Sequence, residues 1–254
     1  MRKIEMMTGL ALCACAAAAA PLASGNVMGV MKVTNTLTYA ALPVPFEAAG
    51  GGALKLKELV ADGLSAGDRL VVCEDGAYKG VKYDGSVWKG ETTVIEGGDI
   101  VSGDPESAVP PCGRAVWCQR ADPSKPVLVM GQVPATYPDV AVSAASGGEA
   151  AYTLLYNPKG EAFTLNAAGA ISGAGKDDQI LVQRGAAHDV YTYDGTAWGY
   201  DRLVTSTITR TINGVEKEIT VSTKERVTAG DMVVPAGYGF WYVSKGGAAP
   251  VVKW

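Results

Sequence analysis

The chain has 254 residues and a formal charge of −4, with Lys and Arg scattered rather than clustered. That balance makes nucleic acid and anionic membrane surfaces poor partners. A single histidine rules out multi-histidine metal sites, and the length suits two small domains or one large β-domain.

Residues 1–25 read as an export signal. Arg2 and Lys3 form a basic start, residues 6–20 are apolar and Ala-rich, and Ala23, Ser24 and Gly25 supply small residues for cleavage. Cys13 and Cys15 raise a lipoprotein alternative, but the usual Leu and small-residue pattern does not precede either. Loss of residues 1–25 removes Arg2, Lys3 and Glu5 and moves the charge from −4 to −5. No later stretch reads as a transmembrane helix, so the expectation is an exported protein in an extracellular, periplasmic or cell-surface location, without membrane insertion after processing.

Past the signal, apolar positions alternate over short runs between Gly, Pro, Asp and Asn, the period of half-buried strands. The one helix candidate is the short run at residues 57–64.

Two stretches are written twice. Residues 67–90 match residues 177–200, pairing Asp68, Val72, Tyr83, Asp84, Gly85 and Trp88 with Asp178, Val182, Tyr193, Asp194, Gly195 and Trp198. Residues 111–127 match residues 235–251, pairing Pro111, Gly113 and Trp117 with Pro235, Gly237 and Trp241. Internal duplication is the economical reading. The expected domains are module one at 26–134 and module two at 135–254, joined at VPATYPD (133–139), where two prolines bracket a polar joint.

The second copy carries extra residues at TITRTINGVEKEIT (207–220). Asn213-Gly214 suits a two-residue hairpin turn, which opposes Ile212 to Val215 and Ile208 to Ile219. An added amphipathic hairpin at about 205–222 follows, and with it self-association through that hairpin.

Asp84-Gly85 and Asp194-Gly195 also read as two-residue turns, opposing Val81 to Trp88 and Tyr191 to Trp198. The paired Tyr and Trp rings then cap a core or form an exposed platform for sugars; packing is the stronger reading. Trp117 and Trp241 read as core too.

The acids Asp84 and Asp194 are explained by turns, and Asp68 and Asp178 by loops before strands. Asp99, Asp104 and Glu106 lie in a Gly-rich loop whose spacing fits no calcium pattern. His188 has Tyr78 as its counterpart, and no nucleophile elbow supports it. The run at 169–178 misses the phosphate-loop pattern because Asp177 stands where Ser or Thr is needed. No catalytic residue, cofactor site or metal site is assigned. Two carboxylates suffice for a glycosidase, which leaves that enzyme class hardest to dismiss. Of five cysteines, Cys73, Cys112 and Cys118 lie beyond the signal. Cys112 and Cys118 are too far apart along one extended strand to join, so a structural bridge from Cys73 to Cys118, or to Cys112, is expected.

VPF at 44–46, the GD pairs before strands, YDG followed by Trp, and a closing Gly and Trp before a last strand together resemble a group of exported bacterial β-repeat proteins. The resemblance implies export and a β-fold and carries over no functional residue. Cys112, Cys118 and the extra hairpin depart from it.

The resulting expectation is an all-β chain of two tandem small β-sandwich or open-barrel modules. Its leading function is a non-catalytic structural or adhesive role with a protein or glycan partner at the cell surface. A pair of carbohydrate-binding modules comes second, and a polysaccharide hydrolase a distant third.

Overall fold

The computed structural model describes residues 27–34, 38–50, 52–74, 77–95, 98–184, 187–212, 215–228, 232–246 and 248–254. The expected signal and the Asn213-Gly214 turn lie outside them.

Among the described residues the chain is all-β apart from one helical turn. The first half runs β1 (Met28–Val33), β2 (Tyr39–Pro43), α1 (Leu56–Leu59), β3 (Val60–Asp62), β4 (Arg69–Glu74), β5 (Ala77–Tyr83), β6 (Trp88–Glu91), β7 (Thr93–Ile95), β8 (Gly98–Ser102), β9 (Ala115–Gln119) and β10 (Val127–Gln132). The second half runs β11 (Val140–Ala141), β12 (Ala151–Tyr156), β13 (Phe163–Thr164), β14 (Ile171–Ser172), β15 (Gln179–Arg184), β16 (Ala187–Tyr193), β17 (Trp198–Ile212), β18 (Val215–Val227), β19 (Val233–Val234), β20 (Gly239–Ser244) and β21 (Val251–Val252). The expected helix shrinks to α1 because Val60 joins a sheet opposite Val129, and Gly63 turns the chain at φ +85°.

Each half is a sandwich-like pair of sheets, and none closes into a barrel. In the first, β1-β10-β3 faces β2-β9-β4-β5, with β8 and β7 continuing the second sheet and β6 pairing β5. In the second, β11-β21-β14 faces β12-β20-β15-β16-β17-β18, and β13 pairs β19 in a further two-stranded sheet. The pairings correspond residue by residue. Arg69 opposes Lys82 and Gln119, and its counterpart Gln179 opposes Thr192 and Val243. Val71 opposes Trp117 as Leu181 opposes Trp241. The amide of Gly113 donates to the Val44 carbonyl and that of Gly237 to Asn157, both at 3.2 Å.

Two separate cores follow from this arrangement. Leu42, Leu70, Val72, Val81, Val116 and Cys118 belong to the first, and Leu155, Ile180, Val182, Trp198, Phe240 and Tyr242 to the second. Every buried member of the first precedes residue 134 and every member of the second follows residue 139. The halves also touch directly: the Tyr156 amide donates to the Gly113 carbonyl at 3.0 Å, and Arg114 bridges Leu155.

The hairpin has the register expected of it, with Ile208 opposite Ile219 and Ile212 opposite Val215. It is longer than the inserted residues alone, because β17 begins at Trp198 and runs without a break through a Thr-rich stretch that favours extended backbone.

The two Asp-Gly turns differ from their expected form. Tyr83 opposes Trp88 and Val81 opposes Gly90, so the loop has four residues. The cause is the Asp84 carboxylate, which accepts from the amides of Ser86 and Val87 and from the Ser86 hydroxyl, each at 2.9 Å. Asp194 holds Thr196 and Ala197 the same way, and Tyr193 opposes Trp198. The longer loop still puts each Tyr beside its Trp, with ring centroids 5.3 Å apart in both copies. Trp198 is buried in the second core, while Trp88 and Tyr193 pack half-buried against the first and second cores respectively. Three of the four rings, Trp88, Tyr193 and Trp198, therefore pack on a core.

Candidate functional site

The strand period decides which rings leave the core. On β9, Val116 and Cys118 point inward, so Trp117 points to the opposite face; on β20, Phe240 and Tyr242 do the same and expel Trp241. The reading of Trp117 and Trp241 as core residues is therefore corrected: both are half-buried on the outer faces of their sheets. Tyr39 on β2 and Tyr152 on β12 take the same outer faces, because Ala40 and Leu42, and Thr153 and Leu155, face inward.

These outer faces meet. Tyr39 stacks on Trp117 with centroids 6.3 Å apart and planes at 16°, and Trp117 lies 6.0 Å from Trp241. Trp241 in turn lies 6.4 Å from Tyr152, edge to face. Four rings thus form a ladder across the junction, one Tyr-Trp pair from each half. The end rings remain accessible, Tyr39 at 50% and Tyr152 at 54% exposure.

Beside the ladder is an open cavity of about 510 Å³. Its walls include all four rings, with Arg69, Arg114, Gln119 and Ser143 supplying polar edges. The polar side is braced. Arg69 Nη2 donates to Glu91 Oε1 at 3.0 Å and Nη1 to Gln119 Oε1 at 2.9 Å, and Gln119 Nε2 donates to the Tyr39 hydroxyl at 3.1 Å. Glu91 is held below its usual carboxylate range by that Arg69 hydrogen bond. The chain of bonds adds to the stacking on Trp117 in fixing the Tyr39 ring. Among the described lining residues are no carboxylate, imidazole or thiol. The arrangement sets flat π-faces next to polar groups able to donate and accept hydrogen bonds.

The other sequence-singled residues lie elsewhere. Asp68 and Asp178 are fully buried clasps. Asp68 accepts from Arg120 Nε at 3.1 Å, the Ala121 amide at 2.7 Å and the Ser65 amide at 2.9 Å. Asp178 accepts from the Tyr242 hydroxyl and the amides of Gly175, Lys245 and Gly246. Each carboxylate ties its loop to the end of the neighbouring strand, a role stronger than a common loop acid. Glu106 is engaged by Lys55 and Lys57, and Asp104 accepts the Glu106 amide; the Asp99 side chain is outside the described residues. His188 is exposed on β16 opposite Gln183.

Cys112 and Cys118 are free, buried thiols. Burial pushes both up to about 12. Cys118 opposes Leu70, and Cys73 lies three residues further along β4; its side chain is outside the described residues.

Tyr39 and Tyr152 were missed from the sequence, although a signal existed. Tyr39, Leu42 and Pro45 match Tyr152, Leu155 and Pro158 at one constant spacing, and each triplet precedes its repeat's main match. No protein-family model, curated protein or solved structure matches the chain.

Proposed function

We propose that this is an exported, non-catalytic binding protein of structural or adhesive character, and that its ligand is a carbohydrate held in the cleft between the two halves. The carrying observation is the four-ring ladder of Tyr39, Trp117, Trp241 and Tyr152 beside a polar rim. Sugar rings present C–H faces to aromatic planes and hydroxyls to groups such as Gln119 and Arg114, which is the chemistry this cleft offers. The absence of carboxylates among its described lining residues supports binding without hydrolysis, since glycoside cleavage needs two. A single composite site replaces the pair of sites that the duplication suggested. Export rests on residues 1–25. Among the described residues no helix is long and apolar enough to cross a membrane.

A glycan array followed by calorimetry tests this reading, comparing the native chain with the Tyr39→Ala/Tyr152→Ala variant. Each accessible ring contributes about 0.5–1.5 kcal/mol of stacking, so the double variant loses roughly 5- to 150-fold in affinity. Its melting temperature stays near that of the native chain, because both rings are about half exposed. Absence of any glycan signal, or affinity unchanged in the variant, would overturn the assignment.

A further inference from the structure

The outer strand β18 presents an unusual edge. It pairs with β17 alone, so along its 13 residues the other edge carries peptide groups that no strand satisfies among the described residues. A long exposed edge of this kind is a template for another chain. A two-stranded ribbon is also marginally stable by itself. Val204, Ile208, Ile219 and Val221 lie half-buried along one face of this ribbon.

The sequence along the edge states which chain fits. Residues 216–226 read EKEITVSTKER, with charges in the order minus, plus, minus, then a neutral centre, then plus, minus, plus. Laid antiparallel on a second copy with Val221 opposite Val221, the strand sets Glu218 against Lys224, Lys217 against Glu225 and Glu216 against Arg226. The neutral centre sets Thr220 against Ser222 and Ile219 against Thr223. Every charge meets its opposite. Moving the two-fold axis by one residue either way leaves only one of the three kinds of charged pair. In an antiparallel pair, alternate residues turn their peptide groups outward, and this register brings outward residues of one copy onto outward residues of the other.

Within one chain several of those charges face no opposite charge directly across the hairpin. Lys217 lies opposite Arg210, a like-charged pairing that is unfavourable in a sheet, and Glu216 and Glu218 lie opposite threonines. Lys224 lies opposite Leu203. Near the body of the protein, Glu225 and Arg226 reach Arg202 and Asp201 across the hairpin.

We propose that β18 is a self-association strand through which two copies pair antiparallel about Val221, joining their six-stranded sheets into one. The inference rests on this edge and stands whatever the cleft binds. Two copies so joined would carry two clefts, and linked sites raise avidity without new contacts.

Sedimentation velocity of the full chain over a range of concentration and salt tests it. The native chain is expected to dimerise, more weakly at high salt as the ion pairs are screened. Lys224→Glu sets like charges against each other twice per dimer and should raise the dimer dissociation constant at least tenfold. Glu218→Lys combined with Lys224→Glu swaps the pair and should restore dimerisation. Both side chains are exposed and outside any ion pair among the described residues, so circular dichroism and melting should be unchanged. Val221→Cys should form a disulfide-linked dimer under mild oxidation, mapped by mass to a 221–221 peptide. A native chain that stays monomeric to hundreds of micromolar overturns the proposal. So does a Lys224→Glu dimer of native strength, a swap that fails to restore pairing, or absence of the 221–221 peptide.

Discussion

Asp178→Ala is expected to be among the most destabilising single changes in the second half. The carboxylate is fully buried and accepts four hydrogen bonds: Tyr242 hydroxyl at 2.8 Å, Gly175 amide at 2.8 Å, Lys245 amide at 2.6 Å and Gly246 amide at 3.1 Å. Alanine leaves these donors without their acceptor, and each stranded donor costs about 1–3 kcal/mol where water cannot reach it. Tyr242 is itself fully buried, so its hydroxyl bears the full cost; the loop amides recover part of theirs from solvent. The loss should come to about 4 kcal/mol, which lowers the melting midpoint by roughly 10–25 °C for a unit of this size. Asp178→Asn keeps one acceptor oxygen and should lose about half as much. Differential scanning calorimetry with chemical denaturation measures both. A loss below about 1 kcal/mol for the alanine variant would refute the clasp, and would reopen a reactive role for this repeated acid.

The remaining expectations concern the turns and thiols. Asp194 is held down at about 2, first by its Thr196 side-chain bond and then by the Ala197 and Thr196 amides, against an ordinary value of 3.8. A depressed carboxylate stabilises the fold above its unfolded value and loses that contribution as pH falls through the folded value. The stability gap between native protein and Asp194→Ala should therefore be full above pH 4 and close as pH falls to 2; a gap constant across that window would contradict it. Asp177 sits at φ +71° where the first half has Gly67 at +100°. Asp177→Gly should thus stabilise by about 0.5–1 kcal/mol in urea titrations, relieving left-handed strain. Cys112 and Cys118 should resist thiol reagents until the chain unfolds; a Cys73–Cys118 peptide in non-reducing mapping would instead establish the bridge that the sequence suggested.

Legibility in the sequence followed the locality of the cause. The β17–β18 register could be read because an Asn-Gly pair is a local sequence signal for it, and Ile208 does lie opposite Ile219. The Asp84 and Asp194 loops came out two residues too short because side-chain bonds to Ser86, Val87, Thr196 and Ala197, rather than a tight backbone turn, close them. Trp88 and Trp198 were placed correctly because they share a face with the inward residues of their own hairpins. Trp117 and Trp241 were misplaced for a different reason. Their strands are apolar on both sides, so periodicity marks two buried faces without saying that one lies between the halves. The cleft itself depends on how two sandwiches meet, a long-range property to which no single motif points. Tyr39 and Tyr152 become visible only when a third, short alignment block is added before the two obvious ones.

The number of sugars bound per chain bears most directly on the central claim, that repeated Trp residues from both halves build one cleft. Isothermal titration with a binding glycan should give one site per chain, abolished by Trp117→Ala and by Trp241→Ala alike. Two equivalent sites per chain, each removed by only one of those changes, would show that the halves bind separately and that the ladder is mere packing.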